Sequence, residues 1–417
     1  MSQDRKEYFG KYIYILLVYL GLATTGQGIY NVRYMSAYYF GIAVLVWCAF
    51  LKVSRTKFKL IVDTSLFRYI KMLFIPSVMV FIFSVIINIF NPCGFSRYYS
   101  RAFGLTMYIL LAVLEAYFVF FYFGKKAIGY TFCAVALSYL TSCIVAFRQD
   151  GLYQFKKMIF DTGYNGSVLE MHEVAPIASL FAIYFLFSTK LKKENRKNFF
   201  LKEFICFFII ICSAKRINFI CCVIMTFVYE LIKRKSYSRK RLRSICRIIA
   251  VIFIMVSLLY IFTIKSGVLN VLLNLLNVNT MARMELWNGI AQTYKFSPLF
   301  LGKGSGYVSK WMDNNWSSLG IIGLHSSTGI HSDILKYYIE LGFVGFIAYF
   351  FYYLCYIPNR IYKDRKDNSF ALCFVLFLLQ FLVWFTDNIS TYHNYLWILY
   401  LLFFATIYAS PKNGRCN

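Results

Sequence analysis

His331, Asp333, Lys336 and Glu340 fall close together in GIHSDILKYYIELG, the densest group of chemistry-bearing side chains in the chain. On a helix, Asp333, Lys336, Tyr337 and Glu340 stand at i, i+3, i+4 and i+7 and share one face. Two carboxylates and an amine beside an apolar run are costly against lipid, so this stripe is expected to face a wet cavity. Thr328 or Ser332 can cap that helix, with Asp333 favourable in its first turn. His331 lies half a turn out of phase with Glu340, so it reaches the cavity from the helix entrance or does not share it. The four histidines are His172, His325, His331 and His393. Zinc on His325 and His331 lacks a third ligand at recognisable spacing.

Three further stretches can grip anions. In CSAKRINFICC, Lys215 and Arg216 sit between apolar runs with no acid nearby in sequence. A guanidinium there either snorkels to the surface or holds an anionic headgroup such as a diphosphate. In MARMELWNGIAQTYKFSPLFLGKGSGY, Arg283 and Trp287 are one helical turn apart and can face the same ligand. Arg283 paired with Glu285 or Asp313 on a solvated face is the competing reading. After Pro298 come Gly302, Gly304 and Gly306 beside Lys303, a pattern suggestive of a phosphate cradle. It has neither the GxxxxGK[ST] nor the GxGxxG spacing of nucleotide loops. The glycines read instead as a tight bend whose backbone approaches a phosphate.

The elements that position these residues are membrane helices. The chain is 59% hydrophobic, 20% aromatic and only 15% charged, beyond the roughly 45–50% apolar share of soluble domains. Apolar runs near 12–29, 35–51, 70–90, 103–123, 127–147, 173–189, 199–214, 217–232, 246–264, 334–356, 369–386 and 392–409 read as spans. The first run follows a short charged leader without a clear small-residue cleavage site and reads as span one. The segment 199–232 is too long for one helix, rising about 51 Å at 1.5 Å per residue, so it divides at the Lys215–Arg216 turn. The expected fold is an all-α polytopic membrane protein with about 12 transmembrane helices and one large external loop containing short helices. Its parts are 1–264 (nine spans), 265–333 (the loop) and 334–417 (three spans and a tail).

A net charge of +27 would suggest nucleic acid in a soluble protein. Here basic loops orient the spans, and no nucleic-acid partner is expected. Of the 45 lysines and arginines, 31 fall in the alternate segments that include both termini, so both termini are expected in the cytoplasm. That places the glycine bend outside, where ATP is scarce. The long loop holds Trp287, Trp311 and Trp316 and few charges, which argues for order. Its first part sets Asn270, Asn274 and Asn277 as a narrow polar stripe on an aliphatic helix. Such a helix either lies in the membrane interface or packs on the span ends. The twelve cysteines mostly fall inside apolar runs and behave as small hydrophobes. Within spans one to five the only interior charge is Glu115.

The order of these motifs resembles the O-antigen and capsular polysaccharide polymerase family (Wzy-type) and its relative, the O-antigen ligase. The resemblance rests on S-x-x-R at Ser213–Arg216, R-x-x-x-W at Arg283–Trp287 and P-x-x-x-G-x-G-x-G at Pro298–Gly306. It continues with H-[NS]-x-x-L at His331–Leu335 and E-x-G-x-x-G at Glu340–Gly345. The sequence departs from the family in having Ser332 after the histidine and Ala214 and Lys215 before Arg216, which leaves Lys215 as a rival. The resemblance implies glycosyl transfer at the outer face of a bacterial cytoplasmic membrane, without metal, cofactor or nucleotide sugar. Undecaprenyl-diphosphate-linked oligosaccharides would be polymerised into capsular, O-antigen or exopolysaccharide chains, alongside flippase and chain-length regulator proteins. On this resemblance His331 takes the acceptor proton, and Arg216 and Arg283 stabilise the departing diphosphate. Lys215, Trp287, Gly304 and Glu340 complete the substrate-binding set.

Rival classes share some of these features. An O-antigen-ligase-like transferase uses similar parts. A flippase also has a dozen or more spans, but it is expected to show related halves and charges near the bilayer midplane, whereas here the polar density is external and late. A membrane scaffold or receptor is the remaining alternative.

Overall fold

A computed structural model describes residues 3–26, 35–55, 64–90, 92, 98–160, 174–191, 197–213, 215–233, 238–276, 283–315 and 329–408. His172, Asn277, Trp316, His325 and Thr328 lie outside the described residues. Among the described residues every regular element is helical and none is a strand. The helices in chain order are α1 (Gln3–Gly26), α2 (Met35–Arg55), α3 (Thr64–Phe90), α4 (Tyr98–Phe123), α5 (Lys126–Phe160), α6 (Val174–Leu191), α7 (Lys197–Cys212) and α8 (Arg216–Lys233). There follow α9 (Arg239–Lys265), α10 (Val268–Leu275), α11 (Arg283–Ala291), α12 (Tyr307–Asn315), α13 (Asp333–Phe351), α14 (Ile357–Asp364), α15 (Ser369–Val383) and α16 (His393–Ile407).

Five helical stretches are long and apolar enough to cross a bilayer: Leu66–Phe90, Ala102–Phe123, Lys126–Val145, Arg239–Lys265 and Asp333–Asp364. Shorter apolar helices run over Phe9–Leu22, Val174–Thr189, Ser369–Val383 and His393–Ile407. The last long stretch exceeds the expected span 334–356 because a π-turn at Tyr352–Tyr356 carries α13 into α14. Pro358 has no N–H for the preceding turn, and the helix widens just before it. The expected split of 199–232 is present, with α7 and α8 separated by Ser213–Lys215. Three short helices, α10 to α12, occupy the segment between α9 and α13, as the loop composition required.

The burial pattern is that of a membrane bundle. On α9, Ala250, Phe253, Ile254 and Ile261 are buried while Val251, Ile252, Met255 and Leu259 are exposed. Both faces are apolar, and the outward one suits lipid. Both α15 and α16 are buried almost along their whole length and form the centre, α16 packing on α4 and α15 on α6. α10 buries no residue; Val271, Leu272 and Leu275 are exposed, and Asn274 bonds Asn270 at 3.4 Å.

The two ends of the bundle differ. At one end the ends of α2, α4 and α16 and the start of α5 surround a cavity lined by Lys52, Arg55 and Lys126. There too Arg239 donates to the Tyr362 and Arg365 carbonyls, and Arg365 to that of Ile407. Lys215 just before α8, the entrance to α13 and the turn before α16 meet at the other end.

Candidate active site

The entrance to α13 is tied down from three directions. Ser332 is its N-cap, its Oγ accepting from the Leu335 amide at 3.2 Å, as the sequence suggested. The Asp333 and Ile334 amides donate to the carbonyls of Asp387 and Trp384, both at 3.2 Å. The Asp333 carboxylate, fully buried, accepts from the Ser390 amide at 2.8 Å and from Ser390 Oγ at 2.7 Å. Residues 384–392, which link the two central helices, are therefore the platform on which α13 begins.

His331 stands immediately before this cap with φ +50, the one positive φ outside glycine among the described residues. A side chain rarely occupies that region without a structural demand. The demand comes from both flanks, because Trp287 Nε1 donates to the Ile330 carbonyl at 2.7 Å while Ser332 caps α13. Trp287 is buried and packs edge-on against Tyr260, whose hydroxyl donates to the Phe385 carbonyl at 2.8 Å. Trp287, counted in the substrate-binding set, uses its indole N–H to hold the backbone before His331.

Three charges act on the His331 ring: Arg283 at the start of α11, Lys215, and Asp387. Burial first, then Arg283 and Lys215, push its pKa down to about 4, against the opposing pull of Asp387. The ring is therefore neutral at pH 7 and can accept a proton. Lys215 forms an ion pair with Asp387, and the Asn388 amide donates to the Asp387 carboxylate at 2.9 Å. Burial alone would raise the Asp387 pKa; the charge and hydrogen bond of Lys215, with His331 and the Asn388 amide, hold it below the usual carboxylate range. Two cations and one anion leave this end of the bundle positive, a field suited to an anionic ligand.

Lys215 enters this cluster. Arg216 is exposed at the start of α8. The lysine also has the acid partner that its sequence neighbourhood lacked, supplied from 172 positions away by Asp387. Of the two suggested partners for Arg283, Asp313 instead pairs with Lys310 at 3.5 Å and Glu285 is exposed.

The glycine bend does not cradle a phosphate. Its amides are already donated inside the protein, Lys303 to the Ile339 carbonyl at 2.9 Å and Gly304 to the Glu340 carbonyl at 2.8 Å. Ser305 donates to Ser84 Oγ at 2.7 Å, and Gly306 and Val308 donate to the Glu340 carboxylate at 3.0 and 3.2 Å. Gly302 (φ +93) and Gly342 (φ +72) cross so closely that a Cβ on either would overlap the other's backbone. Gly304 and Glu340 therefore serve the joint between the bend and α13, and both differ in this from the ligand roles implied for them.

The polar stripe of α13 does face a cavity. Lys336, Tyr337 and Glu340 line a cleft with Ser77, Thr106, Tyr108, Ser305 and Ser390. His331 belongs to the Arg283–Lys215–Asp387 cluster instead, so the two sites are separate. Sequence reasoning missed Asp387 and Ser390. The available signal was a lone carboxylate in WFTDNISTYHN between two apolar runs. Among the described residues no group of three His, Cys, Asp or Glu is placed to hold a metal ion.

No curated protein and no solved structure matches the chain. The family model described as O-antigen ligase (Wzy_C) matches residues 204–350, about a third of the chain. The matched segment contains Lys215, Arg283 and His331, whereas Asp387 lies beyond it. Residues 204–350 of this membrane protein are accordingly similar to the O-antigen ligase family.

Proposed function

We propose that the protein polymerises undecaprenyl-diphosphate-linked oligosaccharide repeat units at the outer face of the bacterial cytoplasmic membrane, building capsular, O-antigen or exopolysaccharide chains. The coarser statement, a membrane protein that processes lipid-linked glycans, follows from the family domain. The observation that carries the finer reading is His331, held neutral beside Arg283, Lys215 and Asp387 at the α13 entrance.

His331 accepts the proton of the acceptor sugar hydroxyl as its oxygen attacks the anomeric carbon of the donor. The bond from that carbon to the diphosphate oxygen breaks, and the diphosphate leaves with the electron pair. Arg283 and Lys215 neutralise the departing charge, and Arg216 meets the lipid-linked substrate at the rim. Asp387 holds Lys215 and favours the imidazolium formed during transfer. No metal ion is assigned to the reaction. The twelve spans are α1 to α9, α13, α15 and α16. Residues 1–264 hold the first nine spans, 265–333 the external segment and 334–417 the last three, with both termini cytoplasmic.

The test is the lipid-linked glycan ladder of cells carrying His331→Ala. Single repeats are expected to accumulate and long chains to fall at least ~100-fold, the scale of a lost general base. An unchanged ladder would end this reading. The name of the matched family favours a second reading, transfer of a finished glycan to its final acceptor. Deletion separates the two: a ligase leaves long chains on the lipid carrier, a polymerase leaves single repeats.

A further inference from the structure

Glu115 and His393 are 278 positions apart, and the proposed chemistry uses neither. Glu115 is on α4 and His393 is the first residue of α16; both are buried, with Nε2 and Oε2 2.7 Å apart. α2 makes room for this pair at Gly41, where a Cβ would overlap both Nε2 of His393 and Oε2 of Glu115. Ionisable groups this deep among apolar helices are costly unless they carry a task.

The geometry points to that task. Tyr108, two helical turns before Glu115 on α4, packs edge-on against the His393 ring at 5.2 Å and donates to the Thr391 carbonyl. One residue earlier, Ser390 holds the Asp333 carboxylate. One residue later, the Tyr392 hydroxyl reaches Asp387 at 3.5 Å, and its ring lies 5.9 Å from Lys215 Nζ. The turn that touches the His331 cluster is thus fastened to α4 at its C-terminal end by Glu115, Tyr108 and His393.

We propose that Glu115 and His393 are positioning residues of the candidate active site: their buried bond fixes the 387–393 turn and so sets Asp387 and Ser390 against Lys215 and Asp333. The titratable side chains facing the pair are Tyr14 of α1, Cys48 of α2 and Tyr108. The role rests on the proposed reaction only for its effect on rate; the fixing of the turn is a property of the fold.

The two parts are read separately. Amide hydrogen exchange of the purified full chain in detergent is compared for wild type, Glu115→Ala, Glu115→Gln and Gly41→Ala. In Glu115→Ala and Gly41→Ala, peptides over 384–392 are expected to exchange at least ~10-fold faster while those over 398–406 keep their protection. Glu115→Gln retains a hydrogen-bond acceptor and is expected to stay near wild type. Unchanged exchange over 384–392, or an equal rise along all of α16, overturns the proposal. In the glycan assay, Glu115→Ala is expected to lower kcat about 10-fold with KM unchanged and Glu115→Gln to restore most of it. A loosened turn with full kcat in Glu115→Ala also overturns it. Long chains made by His331→Ala would instead sink the proposed reaction while leaving the fixing of the turn in place.

Discussion

At the scale of the residue, His331 stays neutral because burial and two cations outweigh one carboxylate. An imidazole in the unfolded chain titrates at about 6.5, whereas the folded ring does so near pH 4. Between these values the unfolded chain binds the extra proton. This contribution to stability is therefore complete above about pH 6.5 and is lost as pH falls toward the folded value. The base remains competent throughout the physiological range, and the acid limb of kcat/KM, which reports the free protein, is expected near pH 4. Arg283→Gln removes the largest cause after burial and should move that limb upward. A limb that does not move would take Arg283 out of the field at His331. Asp387 is the other half of this balance, and it arrives from a part of the chain far from the motif it serves.

At the scale of the element, the 299–306 bend crosses α13 and ties the chain between α11 and α12 to the bundle. Gly302→Ala places a Cβ against the backbone of α13, which cannot yield as a flexible side chain can. A cost above roughly 2 kcal/mol is expected. It should be seen as a lowered thermal midpoint in detergent; an unchanged midpoint would mean the crossing is loose. The sequence made much of this scale legible. The split of 199–232, the Ser332 cap and the short helices after Lys265 follow from apolar length, capping chemistry and loop composition, all local properties. The pairings of Lys215 with Asp387 and of Glu115 with His393 are not local, and no periodicity reveals them. The roles of Trp287, Gly304 and Glu340 were hidden for another reason. Each type suits ligand contact, and only the geometry shows that its donor or acceptor is already engaged by the backbone.

At the scale of the whole molecule, a cation-lined cavity lies at one end of the bundle and the His331 cluster at the other. On the proposed count of twelve crossings, both termini lie on one side. Reporter tags at each end should be shielded from external protease in intact spheroplasts, and digestion of just one would remove a span from the count. A last consequence follows from the glycine bend, whose amides from Lys303 to Gly306 are donated to protein acceptors. On the proposed reading, a diphosphate is met here by cationic side chains and not by a backbone mould. Recognition by charge is tolerant of what hangs from the phosphate. The handle would thus be common to many donors, and the choice of which sugar to join would fall to surfaces farther along the glycan.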